Sequence, residues 1–188
     1  SNIGDYAFYQ CYKLQGDLLF PNSLTNIGEY AFYGCYGFKG TVSFSENMDI
    51  INKYAFYQCS GIKNIIIPNS IKTIDDYAFY QCTELKGKLT IPNSVTNIGS
   101  SAFYNTKIDT IEFGNRVQTI GNSAFQGCTG LTELTIPNSV TSIGENAFRE
   151  CKSLISATLP NSITTIRNGA FSDCINLKSI NIPDGIKT

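Results

Sequence analysis

Apolar positions in this chain recur at intervals near two dozen residues, a far longer period than the 3.6 of a helix or the 2.0 of a strand. Aligned on the dipeptide Ala-Phe, the phenylalanines fall at Phe8, Phe32, Phe56, Phe79, Phe103, Phe125, Phe148 and Phe171, spaced by 24, 24, 23, 24, 22, 23 and 23 residues. Five residues before each stands an isoleucine, from Ile3 and Ile27 through to Ile143 and Ile166. Eight before stands Leu24, Met48, Ile71, Val95, Val117, Val140 or Ile163, and Ile186 begins the pattern again. Three after comes a cysteine in every copy except the fifth, where Thr106 replaces it.

A unit this short has one apolar face and encloses no core alone, so it survives only by stacking on like units above and below. Within a unit, Leu134-Thr135-Ile136 alternates with period two and predicts a strand with Thr135 pointing outward. Pro137-Asn138-Ser139 then predicts a turn, and Val140 to Ile143 a second short strand. After Gly144, the stretch from Glu145 to Cys151 has room for one or two turns of α or 3₁₀ helix, with Phe148 and Cys151 facing inward. The copies of 24 residues each carry an extra glycine-containing position (Gly16, Gly40, Gly87), and the copy of 22 has lost a residue between Thr106 and Ile108. All length variation therefore sits at one corner of the coil, where the chain enters the first strand. The predicted architecture is an α/β repeat solenoid over residues 1–188, a right-handed superhelix of about eight coils with one parallel strand per coil. Because Ser1-Asn2-Ile3-Gly4 opens in mid-repeat, as Thr25-Asn26-Ile27-Gly28 shows, the chain is read as a fragment of a longer protein.

Composition narrows the function classes. Charged residues are 15 % of the chain and the formal net charge is −1, so there is no basic stripe for nucleic acid. The longest apolar runs, such as Ile65-Ile66-Ile67, are too short to insert in a membrane. The seven cysteines follow the repeat, which points to a ladder of buried thiols; disulfides between neighbouring coils are the nearest exception. Zinc needs converging ligands, and with one cysteine per coil and no histidine no metal site is expected. Nor is there a base for a Ser or Cys nucleophile, and the acidic pair Asp75-Asp76 aligns with Gly28-Glu29 and Gly99-Ser100. No catalytic residue, cofactor site or enzyme activity is expected.

Two surfaces stand out instead. The outward row of the predicted sheet is Asp17, Thr41, Asn64, Lys88, Thr110, Glu133, Ser156 and Ser179, with a second row of Leu19, Ser43, Ile66, Thr90, Glu112, Thr135, Thr158 and Asn181. The other is aromatic. All eleven tyrosines lie between Tyr6 and Tyr104 and flank the Ala-Phe motif: Tyr6, Tyr30, Tyr54 and Tyr77 before it, Tyr9, Tyr33, Tyr57, Tyr80 and Tyr104 after it. Tyr12 and Tyr36 extend the row. These rings either pad the coils against one another with hydroxyls in water, or form an exposed patch for a protein, a glycan or another copy of the chain.

The run Leu-x-x-Leu-x-Ile-Pro-Asn-Ser-Val-Thr-Ser-Ile-Gly-x-x-Ala-Phe-x-x-Cys, clearest from Leu131 to Cys151, resembles the BspA-like class of leucine-rich repeats. The resemblance spans essentially the whole chain. It implies a leucine-rich-repeat solenoid within a larger cell-surface or secreted protein, acting as a non-catalytic adhesion or interaction module with a protein or glycan ligand. A structural spacer that self-associates through uncapped ends is the alternative. Departures are local: Ser45 and Gly114 stand where the pattern has proline, and Thr106 where it has cysteine.

Overall fold

A computed structural model describes residues 1–187. Among them the chain winds as a parallel β-solenoid, in which every coil but the last contributes to two ladders of short strands. The first ladder holds β2 (Leu18–Leu19), β4 (Thr41–Ser43), β6 (Asn64–Ile66), β8 (Lys86–Thr90), β10 (Lys107–Glu112), β12 (Glu133–Thr135), β14 (Ser156–Thr158) and β15 (Ser179–Ile180). The second holds β1 (Asn2–Ile3), β3 (Asn26–Ile27), β5 (Ile50–Ile51), β7 (Thr73–Ile74), β9 (Asn97–Ile98), β11 (Thr119–Ile120) and β13 (Ser142–Ile143). Every pairing is parallel and, apart from the start of the β8–β10 pair, joins equivalent residues of adjacent coils, for example Thr41↔Asn64, Leu134↔Ala157 and Ile120↔Ile143. In the first ladder the middle residue points inward: Val42, Ile65, Leu89, Ile111, Leu134 and Ala157 are buried while their neighbours face solvent.

Between the two strands lies the proline turn, closed in each coil by an amide donating three residues back, as in Val140 N to Pro137 O at 3.0 Å. The copies that lack proline keep the bond, with Met48 N on Ser45 O at 3.2 Å and Val117 N on Gly114 O at 3.5 Å. Glycine is required at 114, since a Cβ there would stand 2.3 Å from Pro92 O. Asparagines of the turn reinforce the stack: Asn93 Oδ1 accepts from Asn115 N at 2.9 Å, and Asn138 Oδ1 from Asn161 N at 3.0 Å.

The segment around Ala-Phe differs from the α or 3₁₀ turn that the sequence predicts. No helix forms; the segment is a chain of turns in which the residues two before and two after each Phe are left-handed. In the second coil these are Tyr30 (φ 56°) and Gly34 (φ 70°), in the third Tyr54 (57°) and Gln58 (55°). A left-handed L-residue costs roughly 1–2 kcal/mol, so something must hold it there. Alternate amides do so by turning along the solenoid axis. Tyr54, Phe56 and Gln58 donate to the carbonyls of Asp76, Ala78 and Tyr80 in the next coil, at 3.1, 2.9 and 2.7 Å. The amides between them, of Ala55, Tyr57 and Cys59, donate three residues back within their own coil at 3.1–3.2 Å. A helix would direct every amide inward along its own turn and leave none to join the coils. The turns thus form a third hydrogen-bonded ladder.

Inside the three ladders runs a single apolar core. Its spine is the phenylalanine column: successive rings from Phe8 to Phe171 stack with centroids 5.0–5.5 Å apart and planes within 11°. In five coils a glycine follows the repeat isoleucine, and a Cβ on Gly121 would stand 2.6 Å from the backbone of Gly99 and Ser100; Asp75 and Arg167 hold that position in the fourth and eighth coils, where the phenylalanine step is 5.5 Å. Where Asn52 replaces that glycine, the second ladder is interrupted between β3 and β5. There the Asn52 side-chain amide donates to Ile27 O at 2.6 Å, a role that the backbone amide fills elsewhere, as in Gly121 N to Ile98 O at 2.8 Å.

The first ladder is interrupted on both sides of the β8–β10 pair. A coil lengthened at Gly87 meets there a coil shortened before Ile108. The mismatch is absorbed by a bulge: Ile108 pairs with Gly87 and Thr110 with Lys88, leaving Asp109 without a partner across the ladder.

Phe103 is fully buried between two stacked neighbours, whereas Phe8 in the first coil is 37 % exposed. Phe103→Ala is expected to destabilise the chain by about 3–5 kcal/mol, and Phe8→Ala by much less. Urea unfolding followed by circular dichroism measures both; equal losses would show that the column is not a shared core.

Candidate functional site

The sheet face gathers its predicted residues into a row. Lys88 lies beside Thr110, Thr41 beside Asn64, and Glu133, Ser156 and Ser179 follow one another in register. Asp17 stands just before β2 and its carboxylate accepts the Thr41 amide at 2.6 Å, so it closes the strand entry. Most of the row is small, polar and solvated, but the β8–β10 region is distinct. Lys88 Nζ meets Glu112 Oε2 at 2.8 Å across the two coils, and Thr90 Oγ1 donates to the same carboxylate oxygen at 3.3 Å. The bond from Lys88 holds the Glu112 carboxyl below its ordinary range. Beside this pair, a depression of about 430 Å³ is lined by Lys88, Thr110, Ile111, Glu112, Phe113, Thr135 and Pro137. Two smaller ones, of about 320 and 330 Å³, share Thr90 with each other and take in Glu112 and Phe113 on one side, Ile66 and Lys88 on the other. Ile66 is 53 % exposed and adds an apolar side chain to this face.

The tyrosines form three columns along the axis. Tyr6, Tyr30, Tyr54 and Tyr77 stack at 4.5–4.9 Å; Tyr9, Tyr33, Tyr57, Tyr80 and Tyr104 at 4.6–4.9 Å; Tyr12 and Tyr36 at 5.1 Å. Stacking of coil on coil covers the ring faces within these columns. Burial, followed by the neighbouring Tyr80 and Tyr33 hydroxyls, pushes the Tyr57 hydroxyl up to about 12. Lys53 lies alongside the first column, with Nζ 5.4 Å from the Tyr54 ring centre and 3.5 Å from Asp76 Oδ2.

The cysteines form the thiol ladder that their spacing predicts, and all seven are free. Each thiol from the second coil onward donates to the carbonyl of the preceding coil's phenylalanine: Cys59 Sγ reaches Phe32 O at 2.9 Å and Cys174 Sγ reaches Phe148 O at 3.2 Å. This explains why a small, weakly polar side chain is wanted. Thr106 instead bonds Phe103 O of its own coil at 3.2 Å and meets Cys128 Sγ at 3.2 Å. Burial pushes the Cys35 thiol up to about 11 and the Cys128 thiol up to about 12. The Asp75-Asp76 pair also serves the stack, since Asp76 Oδ1 accepts the Ser100 amide at 2.7 Å, as Asn122 Oδ1 accepts the Glu145 amide at 2.9 Å. Among the described residues no three of His, Cys, Asp and Glu stand close enough to hold a metal ion, and no helix is long and apolar enough to cross a membrane.

With two strand ladders, a phenylalanine spine and a thiol ladder in register, the chain meets the structural definition of a leucine-rich-repeat solenoid. It matches the family model of the BspA type leucine rich repeat region in six copies over residues 1–132 and 97–188, and belongs to that family. A leucine-rich repeat protein from Bacteroides ovatus superposes with a TM-score of 0.89 at 30 % identity, over 98 % of this chain and 47 % of that one. The T. pallidum leucine rich repeat protein superposes with a TM-score of 0.65 at 27 % identity, over 97 % of this chain and 75 % of that one. The pneumococcal vaccine antigen PcpA shares the fold at 20 % identity, with a TM-score of 0.55 over 98 % of this chain and 64 % of that one. This chain spans about half the length of the Bacteroides ovatus protein. No curated protein sequence matches it.

Phe113 belongs to the sheet-face depressions but to neither of the outward rows read from the sequence. Its signal was the Phe113-Gly114 departure from Ile-Pro in the shortened copy, which marked irregular geometry without showing that it opens a recess.

A thiol whose folded pKa lies above its unfolded value of about 9 contributes stability that is complete below pH 9 and is lost as pH rises through the folded value. The urea midpoint is therefore expected to fall between pH 9 and 12 as Cys35 and Cys128 resist ionising, with Tyr57 adding to the upper part of that window. Cys128→Ala should flatten the decline; a midpoint constant to pH 12 would contradict it. In native protein at neutral pH, iodoacetamide should label the half-buried Cys11 well before the other six thiols.

Proposed function

We propose that this chain is a non-catalytic protein-interaction module of a cell-surface or secreted protein, and that it engages its partner across the sheet face at β8–β10. The observation that carries the reading is the convergence of three depressions on Lys88, Thr90, Glu112 and Phe113, where the ladder is interrupted on both sides. A regular polar sheet presents the same small side chains at every coil and has no preferred register for a partner. The bulge at Asp109 breaks that regularity, and bulges commonly re-aim side chains where function needs them. The 430 Å³ recess has apolar walls from Ile111, Phe113 and Pro137 with hydroxyls of Thr110 and Thr135 at its lip. It suits an apolar side chain from a partner, anchored by hydrogen bonds at the rim. The Lys88–Glu112 pair, both members 57 % exposed, adds little to stability but sets the charge pattern that a partner must match. The surface location rests on membership of the BspA-type family, and the lack of catalytic apparatus on the same ground.

Capture of purified extracellular proteins and glycans on immobilised chain tests the reading. Thr110→Arg with Thr135→Arg, both exposed, fills the recess and is expected to weaken capture of a protein ligand at least tenfold while the melting temperature stays within a few degrees. Unchanged capture by the double variant, or no protein bound from a broad panel, would overturn it.

A further inference from the structure

The third tyrosine column stops abruptly, and the place where it stops has the composition of a sugar subsite. Tyr12, Tyr36, Ser60 and Thr83 occupy the same position, four residues after the repeat phenylalanine. The backbone there is the same in successive coils: Tyr12 N donates to Gln10 O at 2.9 Å, Tyr36 N to Gly34 O at 3.0 Å and Ser60 N to Gln58 O at 2.8 Å. Ser60 therefore begins where a third stacked ring would begin, and its short side chain leaves that ring's volume empty. One face of Tyr36 is covered by Tyr12, 5.1 Å away and tilted by 8°. The opposite face looks along the axis over Ser60 into a depression of about 290 Å³, lined by Tyr36, Gln58, Ser60, Gln81 and Thr83. Tyr36 is 44 % exposed.

We propose that this depression binds a neutral pyranose ring of a glycan. Within the columns the tyrosine faces are covered by one another; the columns end at Tyr77, Tyr104 and Tyr36, and the end at Tyr36 stands beside a recess walled by hydroxyls and carboxamides. A pyranose presents a face of C–H bonds, weakly positive and apolar, which complements the negative face of an aromatic ring. The walls then supply the hydroxyl partners. Gln58 Nε2 donates to Gln81 Oε1 at 2.8 Å, which fixes both carboxamides and leaves Gln58 Oε1 as acceptor and Gln81 Nε2 as donor without side-chain or backbone partners among the described residues. An acceptor and a donor are thus available to the hydroxyls of a sugar, and Ser60 and Thr83 add hydroxyls of either sense. All five lining residues are uncharged, so the site favours a neutral sugar over a uronate or a sialylated one. The volume is that of the smallest ligand sites, about 300 Å³, and takes one ring rather than a chain.

The site is separate from the sheet face, and its test is independent of the protein partner. The probes are methyl pyranosides of glucose, galactose, mannose and N-acetylglucosamine, with methyl glucuronoside as the charged control, added to ¹⁵N-labelled protein. The expected result is saturable movement of the Gln58 and Gln81 side-chain amide signals with at least one neutral sugar, at a Kd on the order of 1 mM. Tyr36→Ala should weaken that binding at least tenfold, and Tyr36→Phe, which keeps the face, by less than threefold. Ser60→Tyr should continue the column, fill the depression and abolish binding with no loss of thermal stability, which separates loss of the site from loss of the fold. No saturable movement with any neutral sugar, movement as large with the glucuronoside, or binding retained in Ser60→Tyr would each overturn the proposal.

Discussion

Everything in this solenoid depends on one distance, the axial step between coils. Parallel strands require about 4.8 Å between neighbours, and here the aromatic columns settle into nearly the same step, with tyrosine centroids at 4.5–5.1 Å. The phenylalanine spine, at 5.0–5.5 Å, is slightly wider. The turn amides of Tyr54, Phe56 and Gln58 reach the next coil only at this spacing, and the thiols reach the preceding phenylalanine carbonyls on the same condition. Glycines such as Gly121 and Gly144 are the places where a side chain would prevent the approach. Hydrogen bonding, stacking and core packing therefore reinforce one another instead of competing, which is what lets a unit too small to fold alone persist.

The same constraint explains where distinct chemistry arises. A strictly repeated coil presents a uniform surface, so a partner finds no register on it. Two of the departures from it lie beside recesses. A lengthened coil against a shortened one makes the bulge at Asp109 and the recess beside Phe113. A tyrosine column that ends at Tyr36 uncovers a ring face above Ser60. In both cases the recess is what remains when one coil fails to supply what its neighbour leads the stack to expect.

Much of this was legible in the sequence, because the repeat is read out directly as spacing. The buried Phe, Ile and Cys positions, the inward Leu134 and Ile136 about an outward Thr135, and the proline turn follow from period and residue type, and the structure places them so, with the strand itself at Glu133–Thr135. The helical turn around Ala-Phe did not follow. A segment such as Glu145 to Cys151 has acceptable helix formers, and its sequence carries no glycine to announce that Asn146 (φ 56°) and Glu150 (φ 58°) are left-handed. That conformation is set by the hydrogen bonds to the next coil, a long-range term that local propensity does not contain.

What the sequence by itself determined is the period, the order of inward and outward positions and hence the family and the stacked architecture, since a periodic apolar pattern has one economical way to bury itself. How coils of unequal length meet is settled instead by the folded stack. Register across Gly87 and Ile108, the side chain of Asn52 standing in for a backbone amide, and the free face of Tyr36 all depend on residues more than twenty positions apart coming within a few ångströms. Those approaches are fixed by packing of one coil on the next, and a single coil's sequence carries no record of the neighbour it will meet.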